Sequence, residues 1–321
     1  MGQEIELKFL CEPADLDAVL AAAPGEGAQI QRLNATYFDT PDQLLAKARI
    51  SLRLRDEDGR RVQTLKRGEG FSREEHEAPA PDEGLDLGMP ALRKALTGAQ
   101  RGALEPAFTV QVTRRARTFL HQGAEIELAV DQGIIRAGDR SEPVSEIELE
   151  LKAGPPQALF EVARELSRTA PLYLSFDGKA YRGQALRDGA EMSPRRHDRI
   201  RLKRGADVTR ALQTVGRSAL SQLAANALVL RAVDGEEPLH QVRVAVRRLR
   251  SALTVFKPIA DDEVRPALAA ELKWLLSACD EARDLDVFAH DNHALGGDAA
   301  ISTVVESARA GAHARAQAAV T

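Results

Sequence analysis

Glu4, Glu6 and Lys8 alternate with Ile5, Leu7 and Phe9 in the opening stretch M-G-Q-E-I-E-L-K-F-L. A strand turns successive side chains to opposite faces, so one face here is charged and the other apolar. Carboxylates two residues apart on a strand stand about 7 Å from each other, close enough to share or bracket a divalent cation. A half-buried strand with a solvated face would look the same, but this pattern recurs. Glu125–Asp131 sets Glu125, Glu127 and Asp131 against Ile126, Leu128 and Val130. Glu146–Lys152 sets Glu146, Glu148 and Glu150 against Ile147, Leu149 and Leu151. Cationic counterparts lie elsewhere: Arg53 and Arg55 alternate with Leu52 and Leu54, Val62–Lys66 carries Thr64 and Lys66, and Phe108–Leu120 contains Arg114.

The elements needed to position these residues are mostly strands. Pro13–Ala23 reads as a short helix ended by Pro24-Gly25, and strand-like material then runs to about residue 152. It includes Gln29–Asp39, a hairpin turned at Asp56–Gly59 and the alternating run Arg73–Glu77. A helical interlude at Leu85–Leu104 is broken by Gly88-Met89-Pro90, and a helix follows at Pro155–Thr169. An open antiparallel sheet with one wet face accounts for each strand singly. The set is different, because wet faces usually mix charges to make cross-strand pairs, whereas here the signs are sorted by strand. The opening, seventh and eighth strands are mostly acidic; the third, fourth and sixth are mostly basic. Closing about eight strands into a barrel with the charged faces inward would set a carboxylate wall against a cationic wall. Helices would cover the apolar outer faces. Burying that many charges is costly unless ligands neutralise them, which metal cations and a polyanion would do.

With these residues in place, the chain resembles the CYTH domain of the triphosphate tunnel metalloenzymes. The resemblance rests on E-x-E-x-K at Glu4–Lys8, L-R-L-R at Leu52–Arg55, T-L-K at Thr64–Lys66 and the strand around Arg114. E-L-A-V-D ending at Asp131, E-I-E-L-E at Glu146–Glu150 and the late G-K-A-Y-R with Lys179 and Arg182 complete it, so it covers residues 1 to about 187. It implies an α+β domain on an eight-stranded antiparallel β-barrel tunnel. The implied activity is Mg²⁺- or Mn²⁺-dependent hydrolysis of a triphosphate-type substrate. By position, Glu4, Glu6, Asp131, Glu146 and Glu148 become metal ligands. Lys8, Arg53, Arg55, Lys66, Arg114 and Lys179 become the phosphate clamp and the catalytic cations, with Arg182 joining them in substrate binding. Hard divalent ions take oxygen ligands, and phosphoryl transfer needs chiefly positioning and charge stabilisation. Glu127 and Glu150 either stand near the metal or pair with arginines across the barrel. Arg115 and Arg117 have the opposite strand parity to Arg114 and read as solvated charges, and His76 and His121 have no partner spacing that suggests catalysis.

Asp188–Arg204 is polar, contains Ser193-Pro194 and shifts toward arginine, marking a linker between a domain at 1–187 and one at 205–321. Beyond it the periodicity predicts antiparallel helices at Val208–Val233, Pro238–Phe256, Glu263–Leu276 and Ala299 to about Val320, an all-α bundle. In H-Q-V-R-V-A-V-R-R-L-R-S-A-L, Val242, Val246, Leu249 and Leu253 form a buried stripe beside a second stripe of His240, Arg243, Arg247 and Arg250. Like charges at helical spacing repel one another unless solvated or bound to a polyanion. This segment, with L-K-W-L at Leu272–Leu275 and A-R-D-L-D-V at Ala282–Val287, resembles the first half of a CHAD domain. That resemblance implies polyphosphate binding through His240, Arg243, Arg247, Arg250 and Lys257, with Arg217 and Lys273 as weaker additions. Arg283, Asp284 and Asp286 read as a structural charge network. The pattern stops at Thr321 without a C-cap signal, which reads as a truncated bundle whose exposed apolar surface would favour a homodimer.

Bulk properties agree with two ordinary domains: 321 residues, a net charge of -4 and 44% hydrophobic residues. Between Arg195 and Lys257 fourteen Lys/Arg stand against five Asp/Glu, a basic segment suited to an extended anion. No apolar run approaches the roughly 18–20 residues that span a bilayer. Two distant cysteines, Cys11 and Cys279, and no secretory signal point to a reducing cytoplasmic setting. The expected protein is a metal-dependent inorganic triphosphatase joined to a polyphosphate-binding helical domain. A hydrolase or cyclase acting on an organic triphosphate, or a non-catalytic polyphosphate adaptor, are the alternatives. The chain shows no nucleic-acid reading motif.

Overall fold

A computed structural model describes every residue except 1, 58, 69–70, 82–83, 198, 203, 234, 261, 295–298 and 321. The chain divides into two compact units, Met1–Glu191 and Met192–Thr321. The first unit runs β1 (Gly2–Leu10), α1 (Leu16–Ala22), β2 (Gln29–Asp39), α2 (Leu44–Lys47), β3 (Ile50–Glu57), β4 (Arg60–Arg67) and β5 (Ser72–Pro79). Then come α3 (Pro90–Ala95), α4 (Gly98–Gly102), β6 (Glu105–His121), β7 (Ala124–Ala137), β8 (Arg140–Ala153), α5 (Gln157–Leu166), β9 (Tyr173–Leu174) and α6 (Lys179–Asp188).

Eight antiparallel strands close on themselves in the order β5-β4-β3-β2-β6-β7-β8-β1, with β1 pairing back to β5 and β9 added to β1. This order brings the basic strands β4, β3 and β6 into one arc around neutral β2, and the acidic strands β7, β8 and β1 into the facing arc. Alternation then fixes the layers. Outward-facing Leu7, Phe9, Leu128, Ile147 and Leu149 pack under α1 and α5, against Leu16, Val19, Leu159 and Val162. Outward-facing Ile50, Leu52 and Leu65 lie under α2 to α4, against Leu45, Met89, Leu92 and Leu96. The interlude predicted as helical is thus two short helices; Thr97 and Gln100 form a capping box that starts α4.

At one end of the barrel the inner face turns apolar, with Phe108, Val110, Ile135, Ala137 and Val144, and α6 packs there through Ala180 and Leu186. Gly183 makes this docking feasible, since a Cβ on it would meet the Phe108 ring at 2.2 Å. Phe108 is fixed in turn by stacking on Tyr37, with centroids 4.6 Å apart. Gly183→Ala is therefore expected to destabilise the barrel unit by about 1–3 kcal/mol through overpacking. Thermal melting checks it, and an unchanged Tm would mean that α6 shifts freely.

The second unit contains α7 (Val208–Ala232), α8 (Glu236–Val255), a 3₁₀ turn (Lys257–Ile259), α9 (Val264–Ala278), α10 (Asp280–Ala294) and α11 (Ala299–Ala319). Val242, Val246 and Leu249 are buried with Leu230, Leu239, Leu272 and Ala312, and Leu253 is partly buried against them. Helix α10 was not foreseen, because its charged D-L-D segment masks the apolar spacing. Asp286 on α10 is fully buried, accepting from Arg309 Nε at 2.7 Å and lying 2.8 Å from His313 Nε2. The charge network at this place thus uses Arg309 and His313 rather than Arg283 and Asp284. Much of the polar stretch read as a linker belongs to the helical unit: Arg195 N donates to Asn226 Oδ1 at 2.9 Å, and Asn226 Nδ2 returns to Arg195 O.

Candidate active site

The lumen is a cavity of about 590 Å³ walled by side chains from all eight barrel strands and from the start of α6. Strand parity brings Glu4, Glu6, Lys8, Arg53, Arg55, Lys66, Arg114, Asp131 and Glu148 to its wall, and the start of α6 adds Lys179. Glu146 lies just behind it, fully buried, bonded to Lys8, Lys179 and Arg182. Arg182 stands apart from the lumen wall: it donates to Glu142, Glu146 and the Pro143 carbonyl, so it fastens α6 to β8 and orients Glu146 from outside.

The acidic arc holds a triad. Oxygen atoms of Asp131, Glu146 and Glu148 lie within 4.8 Å of one another, an all-carboxylate donor set suited to a hard divalent cation. Glu4 and Glu6 form a second pair beside it. Lys66 Nζ donates to Glu4 at 2.6 Å, and Arg73 donates to Glu6 at 2.5 Å. Glu4 Oε2 and Glu6 Oε1 are buried without a hydrogen bond, although Arg73 and Lys8 approach them at 3.3 and 2.8 Å. Those approaches have ion-pair distances without hydrogen-bond geometry, leaving oxygen lone pairs free for a further ligand.

The two walls are not pure. Lys8 and Lys179 stand inside the acidic arc: Lys179 contacts all three triad carboxylates, and Lys8 contacts Glu6, Glu146 and Glu148. At the β6–β7 seam Arg114 clasps Asp131 with two 2.7 Å bonds and reaches Glu148 at 2.5 Å. The other seam is β5, where Arg73 bridges Glu4 and Glu6. Arg73 escaped the sequence reading although its alternating run was recognised; its parity with Glu75 and Glu77 was the available signal. Arg53 differs from the other cations. It makes no ion pair among the described residues; its neighbour is the buried Tyr37 hydroxyl, and its Nε is buried and unpartnered.

Electrostatics follow from this packing. Burial pushes every buried carboxyl up, and the neighbouring cations decide which come back down. For Glu148, Lys179, Lys8 and Arg114 overcome burial and hold it well below the usual carboxylate range. Asp131 is lowered by Lys179 and Arg114 against its burial. For Glu6, burial and the nearby Glu148 push upward, and Lys8, Arg73 and Lys66 together overcome them, bringing it to about 2. Glu4 stays raised, because burial and Glu6 together exceed the pull of Lys66 and Arg73. In the basic arc, burial and then Arg53 and Arg114 lower Arg55 despite its contact with Glu57. One consequence is measurable. A carboxyl lowered from 4.5 to about 2 stabilises the fold fully above pH 4.5 and loses that contribution as pH falls toward 2. The urea midpoint is expected to drop across that window, and Glu6→Gln is expected to flatten the drop.

Outside the lumen, Arg115 pairs with Asp17, and Arg117 donates to the Ala23 and Gly25 carbonyls, tying down the end of α1. Glu127 and Glu150 pair with Lys152 rather than with an arginine. In the helical unit Arg247, Arg250 and Lys257 are exposed, His240 is half-buried, and Arg243 is committed to Asp280 on α10. Arg248, not singled out from sequence, donates to Gln222 and Ser218.

A closed eight-stranded antiparallel barrel with an ionic lumen and a helix across one end defines the class of the first unit. The chain belongs to the CYTH domain family, whose model matches residues 2–183, and residues 214–321 match the CHAD domain. An inorganic triphosphatase of Haemophilus influenzae is 36% identical over 201 residues, 58% of this chain and 55% of that protein. The chain thus spans about half the length of the curated relative it matches. Among solved structures, a Hippeastrum protein described as an adenylyl cyclase with a dominant triphosphatase activity matches at 16% identity. That match covers 60% of this chain and 97% of the other, with a TM-score of 0.43. A Bacillus halodurans protein described as an adenylate cyclase matches at 20% identity over 53% and 91% of the two chains, with a TM-score of 0.38. Among the described residues, no helix is long and apolar enough to cross a membrane.

Proposed function

We propose that the barrel unit hydrolyses inorganic triphosphate with a divalent metal, Mg²⁺ or Mn²⁺, and that the helical unit holds polyphosphate, in a cytoplasmic protein able to form a homodimer. The observation that carries the reading is Arg53, half-buried in the lumen beside Arg55 and Arg114 with no ion pair of its own among the described residues. Three guanidinium groups facing one cavity repel one another, and a polyanion is the ligand that turns this repulsion into binding. The 36% identical relative, named an inorganic triphosphatase, supports the same assignment.

In this reading Arg53, Arg55 and Arg114 grip the phosphate oxygens with planar donor forks, and Lys8, Lys66 and Lys179 add point charges. Arg182 contributes by orienting Glu146. Asp131, Glu146 and Glu148, with Glu4 and Glu6 beside them, hold the metal. When bound, such an ion neutralises charge on the phosphate oxygens and makes water a better nucleophile. The residues' own work is to orient the chain of phosphates and exclude bulk water. Tyr37 is the lumen's single described aromatic, and its ring is stacked on Phe108. A nucleobase or thiazole would therefore find little aromatic surface to stack on, which favours the inorganic substrate. In the helical unit, Arg247, Arg250 and Lys257 are the exposed cations for a phosphate chain, with His240 and Arg243 flanking them.

Phosphate release from tripolyphosphate, with Mg²⁺, with Mn²⁺ and with a chelator, tests the enzyme assignment. Metal-dependent release is expected; binding without release would leave an adaptor.

A further inference from the structure

The barrel has a second ring of charge that the phosphate grip does not use. At the mouth away from α6, Glu57 ends β3, Glu127 faces Glu150 across the β7–β8 ladder, and Glu77 pairs in register with Thr64. All four line the lumen. The cations at this level are already engaged: Arg55 contacts Glu57, while Lys152 lies 3.3 Å from Glu127 and 2.9 Å from Glu150. Among the groups that line the lumen at this level, four carboxylates stand against Arg55 and Lys152, leaving two carboxylate charges in excess. A polyanion would otherwise be drawn to a mouth of the opposite sign, so this collar works against entry of more negative charge than the inner cations neutralise.

We propose that Glu57, Glu77, Glu127 and Glu150 form a length filter, admitting a three-phosphate anion and rejecting long polyphosphate. The proposal rests on the triphosphatase reading. Glu148, which touches the inner cations Lys8, Lys179 and Arg114, is two residues from Glu150, a step of about 7 Å along the strand. A chain gripped by those cations therefore meets the collar within one step toward the mouth. It cannot extend the other way, where α6 closes the barrel with Gly183 against Phe108. Surplus phosphates must pass between glutamates. Lys152, which could have steadied them, is held by two of those glutamates.

The test compares kcat/KM for tripolyphosphate and for a linear polyphosphate of several tens of units at fixed free Mg²⁺. The wild type is expected to prefer the short substrate by at least about 100-fold, about tenfold for each excess carboxylate charge. Glu127→Gln/Glu150→Gln removes both excess charges and is expected to raise the long-chain value about 100-fold, through KM, and to leave tripolyphosphate within about threefold. Adding Lys152→Met is expected to take back about tenfold of that gain, because the freed ammonium is what holds the tail. Any grip by the helical unit is common to these variants and cancels. Glu77→Gln, at an exposed position where Glu77 accepts one bond from Thr64 Oγ1, repeats the test should the double variant not fold. A wild type that cleaves both lengths equally, or folded variants with no long-chain gain, would overturn the filter. A wild type inactive on tripolyphosphate would instead overturn the triphosphatase reading.

Discussion

Replacing Glu148 by glutamine is expected to slow phosphate release from tripolyphosphate by about 10²–10³-fold, the scale seen when one preorganised charge interaction is removed. It is also expected to lower the melting temperature. The two effects have one origin. Glu148 is the hub of the lumen, touching buried Lys8 and the half-buried Lys179 and Arg114. Burial opposes each of those charges, and Glu148 supplies the largest compensating attraction to Lys8 and Arg114. Breaking a buried ionic cluster from one side costs about 3–5 kcal/mol, because the partners stay charged and dry. Tripolyphosphate supplies negative charge to those same cations, so the ligand-induced rise in Tm should be larger in Glu148→Gln than in the wild type. Wild-type turnover would remove Glu148 from the site, and an unchanged Tm would mean that its three partners are hydrated.

Arg53→Gln is expected to do the opposite to stability. The wild-type guanidinium repels Arg55 and Arg114 and makes no ion pair among the described residues, Glu75 attracting it only from a distance, whereas a glutamine amide can still donate to Tyr37. The Tm of the substrate-free protein should therefore hold or rise, while kcat/KM for tripolyphosphate falls by about 10²–10³-fold. Arg53→Lys should restore only part of the rate, since an ammonium lacks the planar fork that grips two phosphate oxygens. The paired readout separates a substrate grip from a structural charge: a structural Arg53 would lose stability along with activity. A functional site that is strained until its ligand arrives is a familiar trade in marginally stable proteins.

These expectations show how unevenly the molecule could be read from its residues. Alternation identified the barrel strands, and the sorting of sign by strand led to an enclosed charged lumen, because both depend only on side-chain direction along a strand. The helical unit was legible where valines and leucines kept helical spacing, as at Val242, Val246 and Leu249. It was illegible at α10, where Asp286 occupies a core position by virtue of Arg309 and His313, which lie 23 and 27 residues further along the chain. Arg73 was missed for a related reason: its partners Glu4 and Glu6 are 69 and 67 residues away, and only β1–β5 closure makes them neighbours.

By itself, then, the amino-acid order determined which side chains point inward, which face of each strand is apolar and which strands carry which sign, since these are properties of the local backbone. Tertiary structure alone decided which strands lie side by side. That choice gathered β4, β3 and β6 into one arc and β7, β8 and β1 into the other, and put Lys8 and Lys179 among carboxylates. It also left Arg53 without an ion pair among the described residues and set four glutamates around the open mouth. Coulomb interactions depend on distance through space, and distance through space is set when the sheet closes.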